Sequence, residues 1–510
     1  MLRSYTSYPS RDIHPPKLSK FSPQFAAPRR LTQLADPHSE LPSTVVAATL
    51  PITLRPTRLA ALLVLTVLLA IGRAAESIPQ LKFEQRALPN GLQFIWLEDH
   101  SAPTTAIQMW YRVGSKDDPA GRSGFAHLFE HMMFKSTKRM PAEFLDRLTE
   151  DVGGENNAYT ADDVTVFHET VPSNNLERLL WAEAERLSAL TVDVHNFTLE
   201  REVVKEEYRQ RVLAEPYGEF GEFIQKKSFT EHPYKRPTIG NIEELDASNL
   251  EEVRAFHNTF YRPDNAVLVV VGDFEPAQLQ KWVDEYFGKI PKPDAPIPRV
   301  TTKEPPRDNP KPIIAYDARV PLPALAVTYL GPSVTSAEAP ALRVAEQVLS
   351  GGESSRLYRK LVYETQLAQS AEYSSDLRAD LGLLTYEVIL ASGVPIDKAR
   401  AVLFDEITKI ATKPISDEEL TIARNQLLLG KLVDRETFEG KASALGEAAA
   451  IYGDPNRVNT DLGDLQAVTP AQVQAVSQKY FTPANQLVIE YLPEAMKTKE
   501  TKETKGKAKK

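Results

Sequence analysis

Apolar and polar positions alternate along residues 92–98 (Leu-Gln-Phe-Ile-Trp-Leu-Glu) and 105–113 (Thr-Ala-Ile-Gln-Met-Trp-Tyr-Arg-Val), the period of two that marks β-strands. Residues 123–134, 174–190 and 198–213 space their apolar side chains three and four apart instead, which predicts helices. Apolar runs at Val267–Val271 and Gln486–Tyr491 predict further strands, each entered from a helix. Those two helices open on capping boxes, Ser248 with Glu251 and Thr469 with Gln472. Strands followed by helices and then strands imply an α+β fold, a mixed sheet with helices on one face.

The pattern occurs twice. Leu245-Asp-Ala247, Val253-Arg-Ala255 and Pro263-Asp-Asn265 recur 220 residues later as Leu465-Gln-Ala467, Val473-Gln-Ala475 and Pro483-Ala-Asn485. Between the copies, residues 289–312 read KIPKPDAPIPRVTTKEPPRDNPKP, too rich in proline for a helix or a central strand. The expectation is an internal duplication: two homologous α/β-sandwich halves, 80–288 and 313–495, joined by a semi-rigid linker.

Outside the body the periodicity stops. Residues 1–53 are rich in Pro, Ser and basic groups and read as a disordered extension, or as one created by a start codon set too early. Residues 54–75 carry a basic flank (Arg55, Arg58), an apolar run from Leu59 to Gly72 and small residues after Arg73, the layout of a secretory signal. The apolar run is shorter than the ~20 residues a spanning helix needs. Export to the periplasm or the medium is therefore expected, with an uncleaved anchor at 59–72 as the alternative and the only route to membrane contact. The Lys-rich tail, 496–510, reads as solvated and disordered.

Charge and composition narrow the chemistry. A net charge of −9 argues against a nucleic-acid partner, which needs a basic face. The chain of 510 residues has no cysteine, which removes disulfides, thiolate nucleophiles and Cys-type zinc sites. Any zinc must be held by His and carboxylate.

One predicted helix offers that chemistry. In Gly124-Phe-Ala-His127-Leu-Phe-Glu130-His131, the two histidines stand four apart and share a helix face, so both can reach one ion. Glu130 falls beside them, and H-x-x-E-H is the inverzincin spacing. The bland alternative is two histidines on an ordinary amphipathic helix. A third ligand would come from Thr198-Leu-Glu200-Arg-Glu-Val-Val204-Lys-Glu206-Glu207. Glu200 and Glu207 are two turns apart, roughly 10 Å along the axis, so only one sits comfortably at an ion. Glu206 is the local rival, and taken alone the segment also reads as a solvated, charge-laced helix.

H-L-F-E-H followed 76 residues after His131 by Glu207, together with Gly153-Gly154-Glu-Asn-Asn157-Ala158 and Tyr261-Arg-Pro263-Asp-Asn265, resembles the pitrilysin/insulinase metallopeptidases over essentially the whole body. The resemblance implies one Zn2+ per chain held by His127, His131 and Glu207, with Glu130 as general base. It implies that Glu200 stands behind the ligands, and that Asn157 and Ala158 lie on an edge strand pairing with a peptide backbone. Without it, Asn157 reads equally well as a turn residue after two glycines. The implied activity is endopeptidase cleavage of peptides or small unfolded polypeptides by metal-activated water. A non-catalytic peptide-binding subunit of the same fold, or a metal-dependent hydrolase of other amides or esters, remains as an alternative class.

The second half departs from the metal pattern. Arg343-Val-Ala-Glu346-Gln347 aligns with His127–His131, Asn425 aligns with Glu207, and no His follows His257. Where inert halves of the family carry an Arg and a Tyr seven apart, this chain has Val362 and Gln369; Arg356 and Tyr363 keep the spacing in a poorly matching context. The missing pair and the single duplicated unit imply a second subunit, either a homodimer or a heterodimer with a metal-free relative.

Overall fold

Strands β1 (Glu84–Ala87), β2 (Gln93–Glu98) and β3 (Thr104–Tyr111) open the body of the protein. The computed structural model describes residues 79–497, and from Gln80 onward the chain forms one compact unit. The expected extension (1–53), signal sequence (54–75) and nearly all of the Lys-rich tail lie outside the described residues. No described helix is long and apolar enough to cross a membrane.

After β3 come α1 (Phe125–Met132), α2 (Phe144–Glu150), the hairpin β4 (Glu155–Thr160) and β5 (Thr165–Pro172), α3 (Leu176–Ala189), α4 (Val194–Tyr208), α5 (Gly218–Ser228), α6 (Leu250–Phe260), β6 (Ala266–Gly272) and α7 (Pro276–Tyr286). The six strands form one sheet in the order β1-β2-β6-β3-β5-β4, with β2 parallel to β6 and the other neighbours antiparallel. The second half repeats this layout. Strands β7 (Ile313–Asp317), β8 (Ala324–Gly331), β9 (Ala368–Asp376), β10 (Gly382–Leu390) and β11 (Leu487–Pro493) frame α8 (Ala339–Ser350), α9 (Ile396–Thr412), α10 (Asp417–Asp434), α11 (Phe438–Ala450) and α12 (Pro470–Tyr480). Their order, β7-β11-β8-β10-β9, matches β2-β6-β3-β5-β4 strand for strand, including the one parallel pair. The duplication read from three short sequence matches is thus a duplication of topology.

Each sheet has the expected helix layer on one face. In the first half α1, α3, α4 and α6 bury Phe94, Met109, Phe167 and Leu268; in the second α8, α9, α10 and α12 bury Val327, Leu384 and Tyr386. The opposite faces are not left to water. Helix α11 of the second half lays Phe438, Ala442, Leu445 and Ala449 on Ile95, Trp110, Val166, Val267 and Val269 of the first sheet. Helix α5 of the first half lays Phe220 and Ile224 on Ala326, Leu487 and Ile489 of the second. The halves exchange equivalent helices, so β6 (Ala-Val-Leu-Val-Val-Val-Gly) is buried on both faces and reads as an unbroken apolar run. Reading the sheet as covered on one face understated this, because the covering helix begins more than 160 residues after β6 ends.

Two local expectations shift. The first capping box is built one residue later, by Asn249 with Glu252, while Ser248 Oγ donates to the Leu245 carbonyl. Both spacings fit the box; starting at Leu250 turns Val253, Phe256 and Phe260 inward. Thr469 and Gln472 form the second box as expected. The proline-rich linker has no helix or strand but is strapped at several points: Arg299 donates to the Arg112 carbonyl and Asn265 Oδ1, and Arg307 to the carbonyls of Ser228, Thr328 and Asn485.

Candidate metal centre

Helix α1 is fixed before it offers any chemistry. Its N-cap, Gly124, has φ +96°, and a Cβ there would lie 2.8 Å from the Ile239 carbonyl oxygen, so only glycine fits the crossing. Buried Asp118 accepts the first amides of the helix, Gly124 N at 2.7 Å and Ala126 N at 2.9 Å. Phe125 and Phe129 pack against Phe256 of α6, with ring centroids 5.7 and 5.8 Å apart. With that face committed to the core, His127, Glu130 and His131 turn toward α4.

Helix α4 starts on Asp193, whose side chain accepts Asn196 N. Val204 is buried against α1, and its helical neighbours Glu200 and Glu207 come with it to the histidines. One ligand atom from each of His127, His131 and Glu207 lies within 4.8 Å of the others. Glu207 Oε2 stands 3.2 Å from His131 Nε2 and 3.7 Å from His127 Nε2, and it is buried without a hydrogen bond of proper geometry. A buried carboxylate oxygen facing two imidazole nitrogens is costly unless a cation stands between them. The three donors thus fit a His/His/carboxylate ion site, with Nε2 as the facing atom of each ring.

The three donors feel different electrostatics. Burial, with the neighbouring His131 and Arg211, holds the His127 imidazole below its usual range, favouring the neutral ring that a metal needs. Burial also disfavours charge on His131, but Glu200 and Glu207 outweigh it and raise the ring to about 9. Burial opposes ionisation of Glu207 as well; His131, His127 and Arg211 overcome it and bring the carboxyl down to about 2.

The other expected residues lie around this group. Glu200 stands behind His131, with Oε2 3.6 Å from Nδ1 and Oε1 held by Lys135 Nζ at 2.9 Å. Glu130 is buried, 4.0 Å from His127 Nε2. Glu206, the local rival, points to solvent and is occupied by Arg209 and Gln210. Asn157 and Ala158 lie on β4, the edge strand of the first sheet, which packs against α1; Asn157 Oδ1 accepts the Ala158 amide at 2.9 Å. At the matching place in the second half, α8 and α10 are joined by an amide pair, Gln347 Nε2 to Gln426 Oε1 at 2.9 Å. Arg356 there is locked in a two-bond pair with Glu419, and Tyr363 is exposed.

A family model described as Insulinase (Peptidase family M16) matches residues 94–262, and one described as Peptidase M16 inactive domain matches 248–427. The chain is 29% identical over 419 residues to the zinc protease PqqE of Helicobacter pylori, covering 82% of this chain and 91% of that protein. It is 30% identical over 397 residues to an uncharacterized zinc protease of Mycobacterium leprae, covering 77% and 88%. The chain belongs to the M16 peptidase family. A crystal structure of a protease from Helicobacter pylori overlays on this M16 chain with a TM-score of 0.77 at 25% identity, covering 81% of this chain and all of that one. The two M16 models overlap from Ser248 to Arg262, upstream of the proline-rich linker, so the inactive-domain model takes in α6, β6 and α7 of the first half as well as much of the second.

Two residues that support this cluster were not singled out from the sequence. Asp118 was legible only as an Asp-Asp-Pro before a helix. Arg211 follows α4 on a short π-turn, Arg209–Leu213, and its Nη1 holds Glu207 Oε1 at 2.6 Å. The i to i+4 spacing of Glu207 and Arg211 was there to be read, but so were several other such pairs on that helix.

Proposed function

We propose that this chain is a zinc-dependent endopeptidase acting on peptides or small unfolded polypeptides, with one Zn2+ held by His127, His131 and Glu207. The observation that carries the reading is the convergence of His127 and His131 on the unbonded Oε2 of Glu207. Bound there, zinc would polarise a scissile carbonyl and lower the pKa of water at its open position. Glu130, one residue before His131 and 4.0 Å from His127 Nε2, takes the proton of the attacking water and returns it to the leaving amine. Glu200 orients His131 from behind, as carboxylates behind metal-bound histidines do. The edge strand β4, at Asn157 and Ala158, holds the substrate by main-chain hydrogen bonds, which gives affinity with little demand on sequence.

The test is Glu130→Gln. It keeps the three ligands, so zinc content stays at one per chain while cleavage of a peptide library is lost. Cleavage at the wild-type rate by that variant would sink the mechanism, and absence of zinc from the wild type would sink the metal assignment.

A second subunit completes the substrate grip in this reading. Arg356 is tied to Glu419, Val362 packs on the second core, and Gln369 is an uncharged exposed side chain. The partner is a second copy or a metal-free relative. Export, proposed from residues 54–75, is tested by sequencing the mature N-terminus.

A further inference from the structure

Glu207 has two oxygens, and the structure treats them differently. Oε2 faces His127 and His131 and has no proper hydrogen bond, whereas Oε1 is held by Arg211 Nη1 at 2.6 Å. The two residues stand four apart, the spacing that makes helical neighbours, at the point where the helix stops being regular past Tyr208. Residues 209–213 widen into a π-turn, with Ala214 N bonded to the Arg209 carbonyl, and such turns inside helical segments frequently mark functional positions. Arg209, on the same turn, bonds the outward Glu206 and leaves Glu207 alone. The division of labour is therefore residue-specific.

We propose that Arg211 is a positioning residue that commits Glu207 to binding the metal through a single oxygen, so that the remaining coordination position stays open for water and substrate. A carboxylate with both oxygens free can take two positions on a divalent ion; one whose second oxygen is held by a guanidinium is left with one to offer. At an ion already carrying two imidazoles, a second oxygen from Glu207 would crowd the position on which hydrolysis depends. Arg211 acts through Glu207, and its side chain is about one-third exposed, so it can be replaced without opening the core. The inference rests on the zinc reading above.

The experiment uses the full chain loaded with Co2+ in place of Zn2+, because the visible d–d bands of cobalt report coordination number directly. Wild type should show the intense bands of a four-coordinate ion. Arg211→Met should bind one ion per chain but show the weaker bands of a five-coordinate ion, as Glu207 swings to use both oxygens. Arg211→Lys keeps a cation within reach of Oε1 and should restore the four-coordinate spectrum. Superimposable spectra for wild type and Arg211→Met would overturn the proposal while leaving the zinc reading intact, as would a five-coordinate wild type. A wild-type chain that takes up neither zinc nor cobalt would overturn the zinc reading and this inference with it.

Discussion

Glu200, Glu206 and Glu207 are chemically near-identical and lie within eight residues of each other, yet the fold gives them three different surroundings. Glu207 faces the histidines, Glu200 stands behind one of them beside Lys135, and Glu206 is turned to water with Arg209 and Gln210. Glu200→Gln should therefore weaken zinc binding by about 10–100-fold, the usual cost of losing a partner behind a metal-bound histidine. Glu206→Gln should leave it unchanged, and competition against a chelator of known affinity measures both. Equal losses in the two variants would mean that the helix is rotated from the orientation described here. At this scale the histidines and Glu130 were legible because their spacing alone puts them on one helix face. The choice of Glu207 over Glu206 came from family resemblance, since a 100° step on a helix cannot be assigned to a neighbour before that neighbour is placed. Arg211 escaped notice because its i to i+4 pairing with Glu207 was one of several on that helix, and Asp118 because its role depends on a tight crossing of Gly124 with Gly240 that no local pattern announces.

The elements themselves were read well wherever periodicity is strong: β2, β3, α1, α3 and α4 lie within a few residues of the expected spans. What periodicity could not show is which face meets what. Gly446 of α11 is a case in point, because a Cβ there would lie 2.1 Å from Trp110 Nε1, and that indole is pinned by its bond to Gln108 Oε1. Gly446→Ala should destabilise the protein by about 1–3 kcal/mol, the range for overpacking, despite alanine's better helix propensity. A thermal midpoint unchanged or raised would show that α11 does not sit this close to the first sheet. The start of α10 gives a pH-dependent counterpart. The bidentate bond from Arg356 holds the Glu419 carboxyl at about 2, below its ordinary 4.5, so its contribution to stability is present above about pH 4.5 and fades as pH falls toward 2. Glu419→Gln should be less stable than wild type at pH 6, and the gap should narrow steadily on acidification. A gap of constant size across that window would mean the pair contributes through packing rather than charge.

For the molecule as a whole, the exchange of α5 and α11 decides how the two halves behave. Ion pairs and hydrogen bonds run beside the apolar contacts: Lys441 to Asp99 at 2.6 Å, His168 to Glu439 at 2.9 Å, Lys116 to Asp380 at 3.0 Å and Ala379 N to Asp163 at 2.9 Å. A protease cut within 289–312 should thus leave two fragments that co-elute in gel filtration and part only in denaturant. Fragments that separate in native buffer would contradict the exchanged packing. The duplication was visible in sequence as three matched triplets; the exchange was not, because nothing local distinguishes a helix that covers its own sheet from one that covers its twin's. Its consequence falls on biosynthesis. The outer face of the first sheet is complete once Gly272 has been made, but its cover begins only at Phe438. At ribosomal speeds of roughly 5–20 residues per second, that apolar surface stands uncovered on the nascent chain for on the order of ten to thirty seconds. Such a delay suits the export proposed from residues 54–75, since a half that is covered late is slower to close before it is threaded across a membrane.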